Sequence, residues 1–113
     1  MMPGDVLLSS LPQADGLTKD RPVLCLCNVP PFNDFLVCGI TTQLTNGIDQ
    51  LDELIQPADQ DFPTSGLKAA SLIRAAYLAL LPRSRFKGRI GFISESRRRR
   101  VLDSLATFLR QSA

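Results

Sequence analysis

The chain has 113 residues, 44% hydrophobic and 21% charged, with a formal net charge of +2. That length accommodates one domain with one core, residues 1–113, and excludes two. No run approaches about eighteen consecutive apolar residues, so no membrane span is expected, and the absence of histidine excludes a Ser-His-Asp triad, a Cys-His pair and a two-histidine ribonuclease mechanism. The charge is unevenly placed. All of the thirteen Lys and Arg except Lys19 and Arg21 lie from Lys68 onward, against two acids there, Glu95 and Asp103. This predicts a basic half-surface suited to RNA, DNA or an acidic protein segment. The amino terminus lacks a signal-peptide pattern. Cys25, Cys27 and Cys38 are an odd number without a Cys-x-x-Cys pair, and read as small buried hydrophobes in a reducing cytoplasm rather than as metal ligands.

In chain order, Pro3-Gly4-Asp5 turns into a first strand over Val6–Leu11, followed by a polar loop from Pro12 to Asp20 with Ala14-Asp15-Gly16 at its tip. Arg21-Pro22 opens a second strand, Val23–Asn28, apolar on both faces and therefore central. Pro22 biases Arg21 toward an extended conformation at the lip of that strand. A third strand, Phe35–Ile40, ends abruptly in Thr41-Thr42-Gln43. Asn46-Gly47 is a turn signal; Ile48–Ile55 is taken as an irregular strand, and Pro57–Ser65 as a loop.

Ala69–Leu81 has helical propensity, yet lies between Gly66-Leu67-Lys68 and Pro82, a setting that also suits a strand. Phe86–Ile93 alternates apolar with Gly or basic residues and reads as the last strand. Ser94 as N-cap and Glu95 in the first turn introduce a helix to Arg110, with Val101, Leu102, Leu105, Phe108 and Leu109 at helical spacing. A small barrel or half-barrel with one packed helix accommodates these elements.

Three groups of side chains could carry chemistry. Arg21 presents a planar fork of donors that matches a phosphate, or pairs at the surface with Asp20 or a loop carboxylate. Thr41-Thr42-Gln43 offers hydroxyls and amides at a strand end, although threonine is also a common strand residue. Arg97–Arg100 would point around most of the helix and is read as a solvated surface with a secondary role in attracting RNA. Lys68, Arg74, Arg83, Arg85, Lys87 and Arg89 are scattered, some lining a groove with Arg21. Tyr77 and most of the six Phe are expected in the core, leaving no aromatic platform for single-stranded bases.

The order of four pieces resembles the MazF/PemK family of toxins from type II toxin–antitoxin pairs: Pro3-Gly4-Asp5-Val6, Arg21-Pro22-Val23-Leu24, Ile40-Thr41-Thr42-Gln43, and Gly66-Leu67-Lys68 leading to Ser71-Leu72-Ile73-Arg74. The resemblance runs nearly end to end. It implies a mainly β (α+β) fold, a small SH3-like β-barrel of five to seven strands with a C-terminal α-helix. It also implies a cytoplasmic homodimer that cleaves single-stranded RNA without a metal or other cofactor and is neutralised by a cognate antitoxin.

On that resemblance Arg21 and Thr41 are the catalytic pair, with Lys19, Thr42, Gln43, Lys68 and Arg74 binding substrate. Many members carry an acid where this chain has Ala76, and the loop before Arg-Pro offers only Asp15 and Asp20 as carboxylates. Two alternatives share the architecture: a non-enzymatic CcdB-like toxin that binds DNA gyrase, and a barrel that binds RNA or protein without catalysis.

Overall fold

The structure, a computed structural model, describes residues 1–12, 16 and 18–112. Strands β1 (Asp5–Pro12), β2 (Thr18–Val29), β3 (Asp34–Thr41), β4 (Glu53–Ile55), β5 (Ser71–Leu81) and β6 (Phe86–Phe92) accompany helices α1 (Phe62–Ser65) and α2 (Glu95–Gln111). The strands form one antiparallel sheet in the order β4-β5-β3-β2-β1-β6.

The doubly apolar runs explain the centre of the sheet. Successive side chains of β2 and β3 alternate between faces, so Leu24, Leu26, Cys38 and Ile40 join Ile73, Val101 and Leu105 in a core beneath α2. Val23, Cys25, Phe35 and Val37 project the other way, into a second cluster with Leu7 and Phe86. There the Phe35 and Phe86 rings meet edge to face, 5.5 Å between centroids. Burial pushes the Cys25 thiol up to about 11 and Cys38 up to about 12. Both are free and buried, so they act as small hydrophobes.

No ladder joins the edge strands β4 and β6, both fully described; α1, which follows β4 in the chain, packs against β6. Thr64 Oγ1 donates to the Phe92 carbonyl at 3.1 Å. A Cβ at Gly91 would collide with the backbone of Thr64 and Ser65, so only glycine allows the approach. Gly66, at φ 76°, closes α1 in the left-handed conformation. In place of a fully paired barrel stands a six-stranded antiparallel sheet whose edge strand β6 is met by one helical turn.

Helix α2 begins as its sequence predicts. Ser94 Oγ accepts the Arg97 N–H at 3.2 Å, and Val101 and Leu105 are buried at i, i+4 spacing. Several expectations are corrected. Pro57–Ser65 contains α1, in which Pro63 occupies the first turn, where a missing N–H costs nothing. Of Ile48–Ile55 only Glu53–Ile55 is a strand, because Asp52 Oδ2 accepts the Ile48 N–H at 3.0 Å and holds a turn. The second strand begins at Thr18, within the expected loop, by pairing with β1; Ala14 and Asp15 lie outside the described residues. Ala69–Leu81 does yield a strand, because pairing to β3 and β4 overrides its helical propensity.

The largest correction concerns the arginine run. Arg97 is buried, and all five of its guanidinium N–H groups are used. Nε and Nη2 grip Asp61 at 2.8 and 2.9 Å, Nη2 also reaches Asp59 at 3.0 Å, and Nη1 donates to the Leu54 carbonyl at 2.9 Å and Glu53 at 3.4 Å. Arg98 donates to Glu95 and to the Leu26 carbonyl. Only Arg99 and Arg100 fit a solvated face, with side chains 73% and 55% exposed.

Candidate functional site

The β2–β3 ladder stops at Val23↔Gly39. The next residue, Pro22, has no N–H with which to continue it. Extending the register by two residues sets Arg21 across from Thr41, where the two strands part. Asp20 is engaged by Lys87 at 2.8 Å and Ser10 at 3.0 Å rather than by Arg21. The surface pair between Arg21 and Asp20 is therefore not formed.

Thr41 Oγ1 accepts the Gln43 N–H at 3.1 Å. That bond fixes the hydroxyl oxygen and leaves its proton to be donated elsewhere.

Arg21, Ile40, Thr41 and Gln43 form the wall shared by two adjoining clefts. The first, about 560 Å³, continues over Arg74, Ala76, Tyr77 and Asn46. The second, about 580 Å³, continues over Lys19, Thr42 and Lys68. All seven residues singled out from the sequence therefore line one cleft or the other. The remaining scattered cations do not: Lys87 is bonded to Asp20, Arg89 pairs with Asp5 at 2.9 Å, and Arg83 and Arg85 sit exposed in a 3₁₀ turn.

Arg74 is held from two sides. Its Nε lies 3.0 Å from Asp52 Oδ2, an ion pair at contact distance but outside hydrogen-bond angles. Its guanidinium stacks on the Tyr77 ring, 4.1 Å from the centroid. Gly39 pairs with Arg74, but Cys38 pairs with Leu78. Ala75, Ala76 and Tyr77 are thus extra residues on β5, and such a bulge re-aims side chains. Tyr77, expected in the core, is 62% exposed, and Phe32, Phe92 and Phe108 are also exposed, while Phe35 and Phe86 are buried and Phe62 is half-buried against the core. Sequence reasoning missed Tyr77 and Asn46 as cleft residues; the bulge that delivers Tyr77 has no local signature.

Asp20 is the one carboxylate among the described residues lining the clefts. The Lys87 hydrogen bond, helped by Ser10, holds its pKa below the usual carboxylate value, which weakens it as a base. With Ala76 in the first cleft, no carboxylate lines that cleft among the described residues. The site is therefore built of fixed cations, hydroxyls and amides, which stabilise negative charge on a phosphate.

The sequence profile of PemK-like, MazF-like toxins of type II toxin–antitoxin systems matches residues 2–109. The chain belongs to this family. Among curated protein sequences, none matches significantly. The fold is similar to that of the Mycobacterium tuberculosis toxin MazF-mt6, with a TM-score of 0.70 at 18% identity over 94% of this chain and 96% of that one. It is also similar to an endoribonuclease solved in complex with its cognate antitoxin from a mycobacterial species, with a TM-score of 0.68 at 16% identity over 96% and 94% of the two chains. At these identities the neighbours speak for the fold, while the profile places the chain among the toxins. No helix among the described residues is long and apolar enough to cross a membrane.

Proposed function

We propose that this MazF-like toxin is a cytoplasmic, metal-independent endoribonuclease that cleaves single-stranded mRNA and works as a homodimer. The observation that carries the reading is the placement of Arg21 and Thr41 on the wall between two clefts flanked by Lys19, Lys68 and Arg74. An RNA strand crossing that wall would set one phosphate against Arg21 and Thr41, with its neighbours beside the flanking cations.

In the reaction the ribose 2′-oxygen attacks its own 3′-phosphorus as its proton passes to water. The bond to the 5′-oxygen of the next nucleotide breaks, leaving a 2′,3′-cyclic phosphate and a free 5′-hydroxyl. Arg21 stabilises the charge that builds on the phosphorane and protonates the departing oxygen, recovering a proton from solvent. Thr41 donates its hydroxyl to a non-bridging oxygen. The same basic clefts would take an acidic, apolar-anchored segment of a cognate antitoxin.

The test is to incubate purified protein with a long single-stranded RNA in EDTA and map the new ends. Discrete cyclic-phosphate ends that fall roughly 10²–10³-fold in Arg21→Ala are expected. Uncut RNA with retained cell toxicity would overturn the reading in favour of a gyrase-binding toxin.

A further inference from the structure

Tyr77 has a large aromatic surface in solvent without a structural reason for it. The ring lines the first cleft together with Arg21 and Thr41, and 62% of the residue is exposed. One ring face is covered by the Arg74 guanidinium, itself fixed by Asp52. That contact backs the ring while most of the residue stays in solvent. The geometry points to Tyr77 as a stacking platform for one base of the RNA, next to the scissile phosphate, and so as a determinant of where the chain cuts. The inference rests on the nuclease reading proposed above and names the part of the site that engages a base.

Four physical features favour this role. A base stacked on an aromatic ring typically contributes enough for a roughly 5- to 140-fold change in affinity on alanine substitution. A guanidinium behind the ring pins it, so less conformational entropy is lost when a base binds. Asn46 and Gln43 line the same cleft and carry amide donors and acceptors that could meet the edge of a stacked base. At about 560 Å³ the cleft lies within the size range of small-molecule sites, ample for a base and its sugar.

Tyr77 is the chain's single tyrosine and tryptophan is absent, so tyrosine emission reports on this ring alone. Once cleavage sites have been mapped, an RNA oligonucleotide with a 2′-deoxy sugar at the scissile position binds without being cut. Titrating it into the protein should quench tyrosine emission to saturation, and an abasic sugar at one flanking position should remove the quench. With cleavable oligonucleotides, Tyr77→Ala should raise KM roughly 5- to 140-fold with little change in kcat. Tyr77→Phe should behave as the parent, and the abasic substrate should abolish the difference between parent and Tyr77→Ala.

The inference is overturned if Tyr77→Ala cleaves normally, or if Tyr77→Phe is impaired as much as Tyr77→Ala, since the hydroxyl would then be at work. A loss that is equal on every abasic substrate, or a changed molecular mass of Tyr77→Ala in solution, also overturns it, the latter by assigning the ring to a protein interface. If the parent protein cuts no RNA, the nuclease reading fails by itself. Quenching by short single-stranded oligonucleotides of each base then still decides whether Tyr77 meets a base, and an unquenched ring overturns the inference.

Discussion

Arg97 and Asp61 meet as a two-pronged pair in the interior, Nε to Oδ2 at 2.8 Å and Nη2 to Oδ1 at 2.9 Å. Asp61 Oδ2 also accepts the Ser94 N–H at 3.0 Å, at the start of α2. One carboxylate thus ties the end of the β4–α1 connection to the helix terminus, where the helix dipole favours negative charge.

Removing Asp61 takes two of the five hydrogen bonds from a buried guanidinium, and removing Arg97 leaves a buried carboxylate with the Ser94 N–H alone. Asp61→Ala is expected to destabilise the fold by about 3–5 kcal/mol in urea denaturation. Because the desolvation cost falls when both charges go, Asp61→Ala with Arg97→Met should recover part of that loss. A single variant within about 0.5 kcal/mol of the parent would contradict the structural role given to the pair.

The same pair sets an acid limit. The Arg97 hydrogen bond, against an opposing effect of burial, lowers the Asp61 carboxyl from 3.8 to about 2. A carboxyl whose pKa is depressed by folding contributes fully above its unfolded value and loses that contribution as pH falls through the folded one. Stability should therefore decline between about pH 4 and pH 2, and the decline should be shallower in Asp61→Asn. Parallel curves for the two proteins would assign the acid transition to other groups.

Thr41 separates a hydroxyl role from a shape role. Thr41→Ser keeps the donor and should retain cleavage within a few-fold, whereas Thr41→Val preserves the volume and should lower kcat by roughly 10²-fold. Because the Gln43 N–H also bonds Thr41 Oγ1, thermal denaturation should accompany the kinetics. A matching loss in both variants would argue against donation by the hydroxyl.

Phosphate contacts can be counted by salt. Each neutralised phosphate of a single strand contributes a slope of about −0.7 in log affinity against log salt. Lys19→Ala and Lys68→Ala, each taking a cation from the second cleft, should each reduce the slope by about that amount. Arg110→Ala, exposed near the end of α2, should leave it unchanged. Equal effects of all three would indicate diffuse attraction rather than a strand held in the clefts.

Gly91 tests the packing of α1 on β6. A methyl group there meets the backbone of Thr64 and Ser65 rather than a yielding side chain. Gly91→Ala should therefore cost about 1–3 kcal/mol, measured as a lowered midpoint of thermal or urea unfolding. An unchanged midpoint would mean that α1 does not need its close approach to β6.

Much of this molecule is legible locally. Short apolar runs bounded by turn residues mark β1, β3 and the central part of β2, because a strand buried on both faces is apolar at every residue. Ser94 and the spacing of Val101 and Leu105 determine α2 for the same kind of reason, a period read within one segment. The extended backbone of Arg21 follows from the proline beside it, whereas its place inside β2 rather than at the strand's lip comes from pairing with Ser9 of β1; the order of Arg-Pro, Thr-Thr-Gln and Gly-Leu-Lys carries the family.

What the tertiary structure alone decided is which of the remaining charges and rings are available. Arg97 and Arg99 are neighbours in one basic run, yet Arg97 is enclosed by acids from positions 53 to 61 while Arg99 stays in water. Tyr77 leaves the core because three extra residues on β5 turn its ring out over Arg74. Arg21, in contrast, escapes its sequence neighbour because Asp20 is held by Lys87, 67 positions away. Each outcome depends on a partner that is distant in the chain. Periodicity and propensity describe a segment against itself, whereas the availability of a charge or a ring depends on what the fold places beside it.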